Sequence, residues 1–248
     1  YLRHQTFAAR MALLTNRMFE IHKPGTGKTC LQMSVALQIL NISDLYEKII
    51  VSTTTSLTES TKFQFLCKCT DGIFFERNDR TGEVEVSKNF KAKFSIQTHH
   101  DLYLMTLRER KGHKGKTVAE LNKDFSRVVL FADELSKYVL NEFSSKKVSK
   151  SSKSPGADEK ISIKIIGKLS ILNKIKTVED LDDERIINSD IKYIQLWRLT
   201  HSVPTMKFIG LTGTPIANHP SEFFLLANLF LPLDQQYDVN EISQRLFS

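Results

Sequence analysis

Lys23-Pro24-Gly25-Thr26-Gly27-Lys28-Thr29 and the adjacent pair Asp133-Glu134 have the residue types and spacing that phosphate chemistry needs. Gly25 and Gly27 let backbone N–H groups curl around an anion with no Cβ in the way. A helix opening near Lys28 adds the positive end of its dipole. Lys28 is spaced to reach the β and γ phosphates of a nucleotide, and the Thr29 hydroxyl to ligate magnesium. Gly25, Thr26, Gly27, Lys28 and Thr29 are therefore the expected nucleotide-binding residues. Asp133 is expected to hold the metal together with Thr29, and Glu134 to polarise the attacking water as general base. Lys28, Asp133 and Glu134 make the expected catalytic set, with ATP and Mg2+ as cofactors. Alone, the first stretch reads also as a capping turn and the second as two solvated acids. Together they point to a nucleoside triphosphate.

These groups need a frame. Val128 to Ala132 is an apolar run of strand length that leaves Asp133 at a carboxyl end, where open α/β sheets bind ligands. Leu31, Val35, Leu37, Ile39 and Leu40 suit a largely buried helix after the glycine loop. Lys48 to Val51 reads as a core strand, followed by a polar turn from Ser52 to Ser56. Hydroxyls there either touch a nucleic-acid phosphate or cap the next helix. Lys207 to Leu211 is another apolar strand, running into the small polar turn Thr212-Gly213-Thr214-Pro215, which suits sensing of a γ-phosphate. Phe74 to Val86 reads as a hairpin around Asn78 to Gly82. Phe94 to Gln97 reads as a strand, His99-His100 as a loop pair, and Asp101 to Arg110 as a helix. Arg108 to Lys116 is a basic loop before a helix from Thr117 to Asp124. Ile187 to Trp197 forms a broad apolar helix with Trp197 in the core, and Pro220 to Phe230 a helix with proline in its first turn. Helices alternating with apolar strands predict an α/β fold, a mostly parallel sheet with helices on both faces.

The motifs, in this order, resemble the first lobe of a superfamily 2 helicase. Leu2-Arg3-His4-Gln5 is similar to the glutamine motif, which implies that Gln5 contacts adenine. Gly25 to Thr29 is similar to motif I, in the short form GxGKT, with His22 where the longer phosphate-loop pattern has glycine. Asp133-Glu134-Leu135-Ser136 resembles motif II, with Ser136 where many relatives carry histidine or alanine. Leu211 to Asn218 resembles motif III as chromatin-remodelling ATPases write it. Tyr193 to His201, Leu226 to Gln235 and Cys67-Lys68-Cys69-Thr70 are similar to helicase-like transcription proteins of large cytoplasmic DNA viruses. That group includes the poxvirus early transcription factor small subunit and nucleoside triphosphate phosphohydrolase I. The resemblance implies a RecA-like lobe spanning residues 1–248, with no second helicase lobe in this chain. It implies a nucleic-acid-dependent motor acting in viral transcription. Partners would be nucleic acid, DNA ahead of RNA, a second lobe or subunit, and a viral RNA polymerase. The location would be the virion or the host cytoplasm, or the nucleus for a cellular relative. A nucleotide-dependent assembly module without strand separation is the alternative reading. A small-molecule kinase would leave Gln5 and the Thr-Gly-Thr-Pro turn without a task.

Composition narrows the rest. No apolar run reaches membrane-spanning length, and the basic, polar start is unlike a signal peptide. Cys30, Cys67 and Cys69 suggest neither a disulfide framework nor a zinc quartet, so reduced thiols are expected. The net charge is +7, and residues 143–176 hold nine lysines against two acids, which accounts for all of it. That segment suits either a polyanionic partner or a solvated insertion. Residues 144–185 are read as an insertion, Ser/Lys-rich and disordered to Gly156, with helical apolar spacing from Ile161 to Ile175.

Overall fold

A computed structural model describes residues 3–23, 25–42, 44–77, 83–108, 114–138, 168–214 and 222–246. The expected hairpin turn, the centre of the basic loop, the Ser/Lys-rich segment, Pro215 to Asn218 and Pro220 lie outside them. The chain divides into two compact units, Tyr1–Leu102 with Phe125–Glu134 and Thr205–Gly213, and Tyr103–Asp124 with Leu135–Pro204 and Thr214–Ser248.

The first unit is built on a five-stranded, all-parallel sheet. Its strands are β1 (Arg17–Ile21), β2 (Lys48–Thr53), β5 (Phe94–Thr98), β6 (Val128–Ala132) and β7 (Lys207–Thr212), in the order β1-β7-β6-β2-β5. This is the mostly parallel α/β sheet that the alternating helices and apolar strands predict. The strand after the glycine-loop strand in space comes from far along the chain. β7 lies between β1 and β6, with Ile21 opposite Thr212 and Ala132 opposite Gly210. The three carboxyl ends therefore lie along one sheet edge.

One sheet face is covered by α1 (Arg3–Leu14), α2 (Lys28–Ile42) and the segment after β2. Ile49, Val51, Val129, Phe131, Ile209 and Leu211 meet Ala8, Ala9, Ala12, Leu31, Val35, Ala36 and Ile39 there. Ile50, Val128, Leu130 and Phe208 on the other face are buried as well, as an all-parallel sheet requires. Lys207 is buried at the start of β7, and its ammonium donates to the carbonyls of Ala12 and Thr15. It thereby satisfies acceptors that the end of α1 leaves open.

Several elements differ from the sequence reading. Ser52 and Thr53 extend β2 and are fully buried, because the ladder with β5 continues through both and that with β6 through Ser52. The hydroxyls after them do not cap α3 (Thr58–Phe63). Its first flanking residue is Leu57, without a side-chain cap, while the Thr54 and Ser56 hydroxyls lie 3.2 Å apart. His99 and His100 open α5 (His99–Met105) instead of forming a loop. The Thr98 hydroxyl and Asp101 carboxylate cap that helix reciprocally, at 3.0 and 3.1 Å from each other's backbone N–H. The expected hairpin is present as β3 (Phe75–Arg77) paired antiparallel with β4 (Val84–Val86). It leads to α4 (Lys88–Lys93), which Ser87 caps.

The thiol reading is corrected. Cys30, in the first turn of α2, is bonded to Cys69, which follows the π-helical turn Gln64–Lys68 beyond α3. The two Cα atoms lie 5.0 Å apart, across a sequence separation of 39 that hides the pairing from any local pattern. Cys67 is free and half-buried.

The second unit is helical among its described residues. It holds α6 (Val118–Phe125) up to Asp124, α7 (Glu184–Ile187), α8 (Lys192–Ser202), α9 (Glu222–Ala227) and α10 (Val239–Leu246). The apolar helix expected from Ile187 is split at Asn188 to Asp190. Residues Tyr193 to Ser202 of α8 are all buried. Most of its polar groups are committed, as burial demands, although Gln195 Oε1, Arg198 Nη1 and the Ser202 hydroxyl have no partner. Trp197 packs in the core and donates to Gln236 Oε1 at 2.9 Å, and Tyr193 donates to the Leu225 carbonyl at 2.6 Å. Arg198 donates to the Leu181 carbonyl and pairs with Asp182 at 2.9 Å. The spacing over Ile161 to Ile175 appears, where described, as a 3-10 turn at Ser170–Lys174.

Candidate functional site

At the end of β1 the chain must turn sharply into α2. Gly25 has φ +80° and Gly27 +79°, conformations that cost a side-chain-bearing residue. A Cβ built at Gly25 would meet nothing within 4 Å, so the glycine is needed for its backbone angle and not for room. Thr26 closes the turn by donating its hydroxyl to the Lys23 carbonyl at 2.8 Å. Leu31 N–H donates to the Gly27 carbonyl at 3.0 Å, which starts α2. The first N–H groups of this 15-residue helix lie at the sheet edge that carries the acids.

His22 is the departure from the longer glycine pattern. Its backbone N–H donates to Thr212 O at 3.0 Å, and its Nε2 lies 2.9 Å from Glu20 Oε2. The residue thus braces the end of β1 against the end of β7. Burial pushes the Glu20 carboxyl up, against the pull of His22.

The two acids arrive from β6. Asp133 N–H donates to Ser52 O at 2.8 Å, which pins the first residue beyond the strand to β2. Asp133 is 4% exposed. Glu134 has φ +53°, a left-handed backbone that is unfavourable for any residue with a Cβ. Strain of this sort persists only where the surroundings enforce it, and it clusters at functional sites.

Lys28 joins the two motifs. Its ammonium lies 2.8 Å from Asp133 Oδ1 and 2.8 Å from Glu134 Oε1. Burial alone would lower the Lys28 ammonium, but the charges and hydrogen bonds of the two carboxylates outweigh it and hold it above its usual range. Burial pushes the Asp133 carboxyl up in spite of Lys28, with the Glu134 charge adding to the rise and the Glu134 backbone N–H opposing it. The structure therefore brings Gly25, Thr26, Gly27, Lys28, Thr29, Asp133 and Glu134 into one unit, with Lys28, Asp133 and Glu134 in direct contact. Gln5 stands in the first turn of α1, a helix that packs beside α2. Sequence reasoning missed the support behind these residues. Ser52 Oγ, under the Asp133 backbone, lies 2.8 Å from His99 Nδ1 in the buried interior. An apolar strand ending in Ser-Thr, followed by a histidine-bearing helix, was the only available sign of it.

The donor set suits a small hard cation. Thr29 offers a hydroxyl just after the glycine turn and Asp133 a carboxylate in contact with Lys28, and magnesium takes few protein oxygens beside phosphates and water. Among the described residues there is no group of three or more His, Cys, Asp or Glu that would suit a protein-only metal cage.

The sequence matches no family model and no curated protein. Among solved structures it is similar to the Sulfolobus solfataricus SWI2/SNF2 ATPase core in complex with dsDNA, with 13% identity and a TM-score of 0.46. The match covers 98% of this chain and 37% of that one, so the chain spans little more than a third of that structure's length. Among the described residues no helix is long and apolar enough to cross a membrane.

Proposed function

We propose that this chain is the ATP-binding and ATP-hydrolysing lobe of a helicase-like motor that acts on nucleic acid. The observation that carries the reading is Lys28, held at 2.8 Å by both Asp133 and Glu134 at the mouth of a glycine turn. A lysine so placed already has the two carboxylates as stand-ins for phosphate oxygens. An arriving triphosphate offers more negative charge, so Lys28 exchanges its partners and the acids are released. Asp133 and Thr29 would hold magnesium, which when bound supplies positive charge to the β and γ phosphates. The N–H groups of Gly25 to Thr29 cradle the phosphates. Glu134 accepts the proton of the attacking water and orients it toward the γ-phosphate. Gln5 would recognise adenine.

The similarity of Leu211 to Asn218 and of Tyr193 to His201 to viral and remodelling ATPases supports a nucleic-acid partner, with DNA ahead of RNA, and a place in viral transcription. A second lobe or partner subunit would close the open side of the nucleotide. Lys28→Ala tests the reading. It removes a charge-assisted contact of on the order of 2–3 kcal/mol, so ATP affinity should fall at least about 30-fold. Labelled ATP titrated against both proteins decides it, and equal affinities would remove the glycine turn from the account.

A further inference from the structure

Gln32 in α2 exposes 1% of its surface, and neither its amide nitrogen nor its amide oxygen has a hydrogen-bond partner. Thr53, the last residue of β2, is fully buried, and its hydroxyl also lacks a partner. Folded proteins seldom keep such groups, because each has lost water and gained nothing.

Helix and strand register place both groups on the same side of the sheet. Gln32 follows Lys28 by four residues, so the two share one face of α2, and a helical side chain leans toward the preceding turn. Thr53 continues the alternation of Ile49 and Val51, which pack against Leu31, Val35 and Ala36 of α2. On the adjacent strand the same alternation runs Val129, Phe131, Asp133, and Asp133 is tied to Ser52, the neighbour of Thr53. An unpaired amide, an unpaired hydroxyl and the acid proposed to hold magnesium thus share one side of the sheet beneath α2.

Their bonding capacities are complementary. A hydroxyl donates once, an amide oxygen accepts, an amide nitrogen donates, and a carboxylate accepts. At present the Lys28 ammonium occupies Asp133 Oδ1. We propose that Gln32 is a positioning residue for Asp133. Once Lys28 leaves for the phosphates, the Gln32 amide nitrogen donates to the released carboxylate oxygen, and the Thr53 hydroxyl donates to the amide oxygen. The carboxylate is then held in one orientation for the metal. The inference rests on the nucleotide reading above.

Two near-isosteric variants of the full chain test it, Gln32→Met and Thr53→Val. Each deletes an orphaned polar group without opening a cavity. Without nucleotide and in a chelator, both should melt at or above the parental temperature, since removing an unsatisfied buried group relieves a desolvation cost. Their ATP affinity in magnesium should fall about 10- to 100-fold, the usual effect of losing a group that orients a metal ligand. Their affinity in chelator should match the parent's. A lower melting temperature for Gln32→Met would show that the amide is already partnered in the resting fold, and would overturn the proposal. So would unchanged affinity in magnesium, or an equal loss with and without the metal. A parental protein that binds no ATP at all would first remove the nucleotide reading, and this inference with it.

Discussion

Glu134 combines two properties that a substitution can separate. Its carboxylate is the proposed base, and its backbone is left-handed. Glu134→Gln keeps the size and the strain but cannot accept a proton, so it should bind ATP and fail to turn it over. Glu134→Gly also removes the base, but relieves a backbone cost of roughly 1–2 kcal/mol. It should therefore be equally inactive and melt several degrees higher than the Gln variant, as scanning calorimetry would register. If both melted alike, the left-handed geometry would carry no strain. At this scale the meeting of Lys28 with Asp133 and Glu134 was legible in advance. Two acids ending an apolar strand and a lysine after two glycines are rare enough to be read from residue type alone. Gln32 and His99 were not, because a buried polar residue in a helix looks like a surface one until its neighbours are known.

Helix ends and cross-links belong to the scale of elements. Thr117 and Glu120 form a reciprocal cap at the start of α6, with the Glu120 carboxylate 2.7 Å from Thr117 N and 2.9 Å from Arg108 Nε. The Thr117 backbone donor, with help from Arg108, holds Glu120 down to about 2, against an ordinary 4.5. The folded state thus binds fewer protons than the unfolded state between these values. The cap's contribution is complete above the ordinary value and is lost as pH falls through the folded one. Melting temperature should drop more steeply for the parent than for Glu120→Gln as pH is lowered through that window. Equal slopes would show that the cap does not couple to protonation. The Cys30–Cys69 bond closes a loop of 39 residues across α2 and the turn after α3. Reduction should cost about 2–4 kcal/mol of stability, because a cross-link of this span restricts the unfolded chain. Melting with and without a dithiol reductant measures it, and a Cys69→Ser control should be insensitive to reductant. Strands were legible where apolar runs met charge. Their ends were not, since Ser52 and Thr53 have turn chemistry and it is the pairing with β5, joined at Ser52 by β6, that keeps them extended.

Charge is distributed at the scale of the molecule. All of the net positive charge falls within residues 143–176. Under the proposed function, removing Ser145 to Asp158 should weaken binding to every nucleic-acid sequence alike and flatten its dependence on salt. The segment has little apolar area to contribute, so the melting temperature should hold within a degree or two, and a large fall would make it structural instead. Strand order was the least legible feature of all. Periodicity identifies a strand but carries no information on which strand lies beside it, and nothing in Lys207 to Thr212 announces a place between β1 and β6. That place has a consequence for how the chain is made. Among the described residues β1 pairs with β7 alone, and β7 follows every other strand of the sheet in sequence. During synthesis the β6-β2-β5 half of the sheet can assemble as soon as Ala132 emerges. The strand that carries the glycine loop must wait, with both edges unpaired, until Thr212 leaves the ribosome. Between the emergence of β1 and that of β7 the nascent protein therefore carries a strand with no lateral partner, a hazard that chaperones exist to shield.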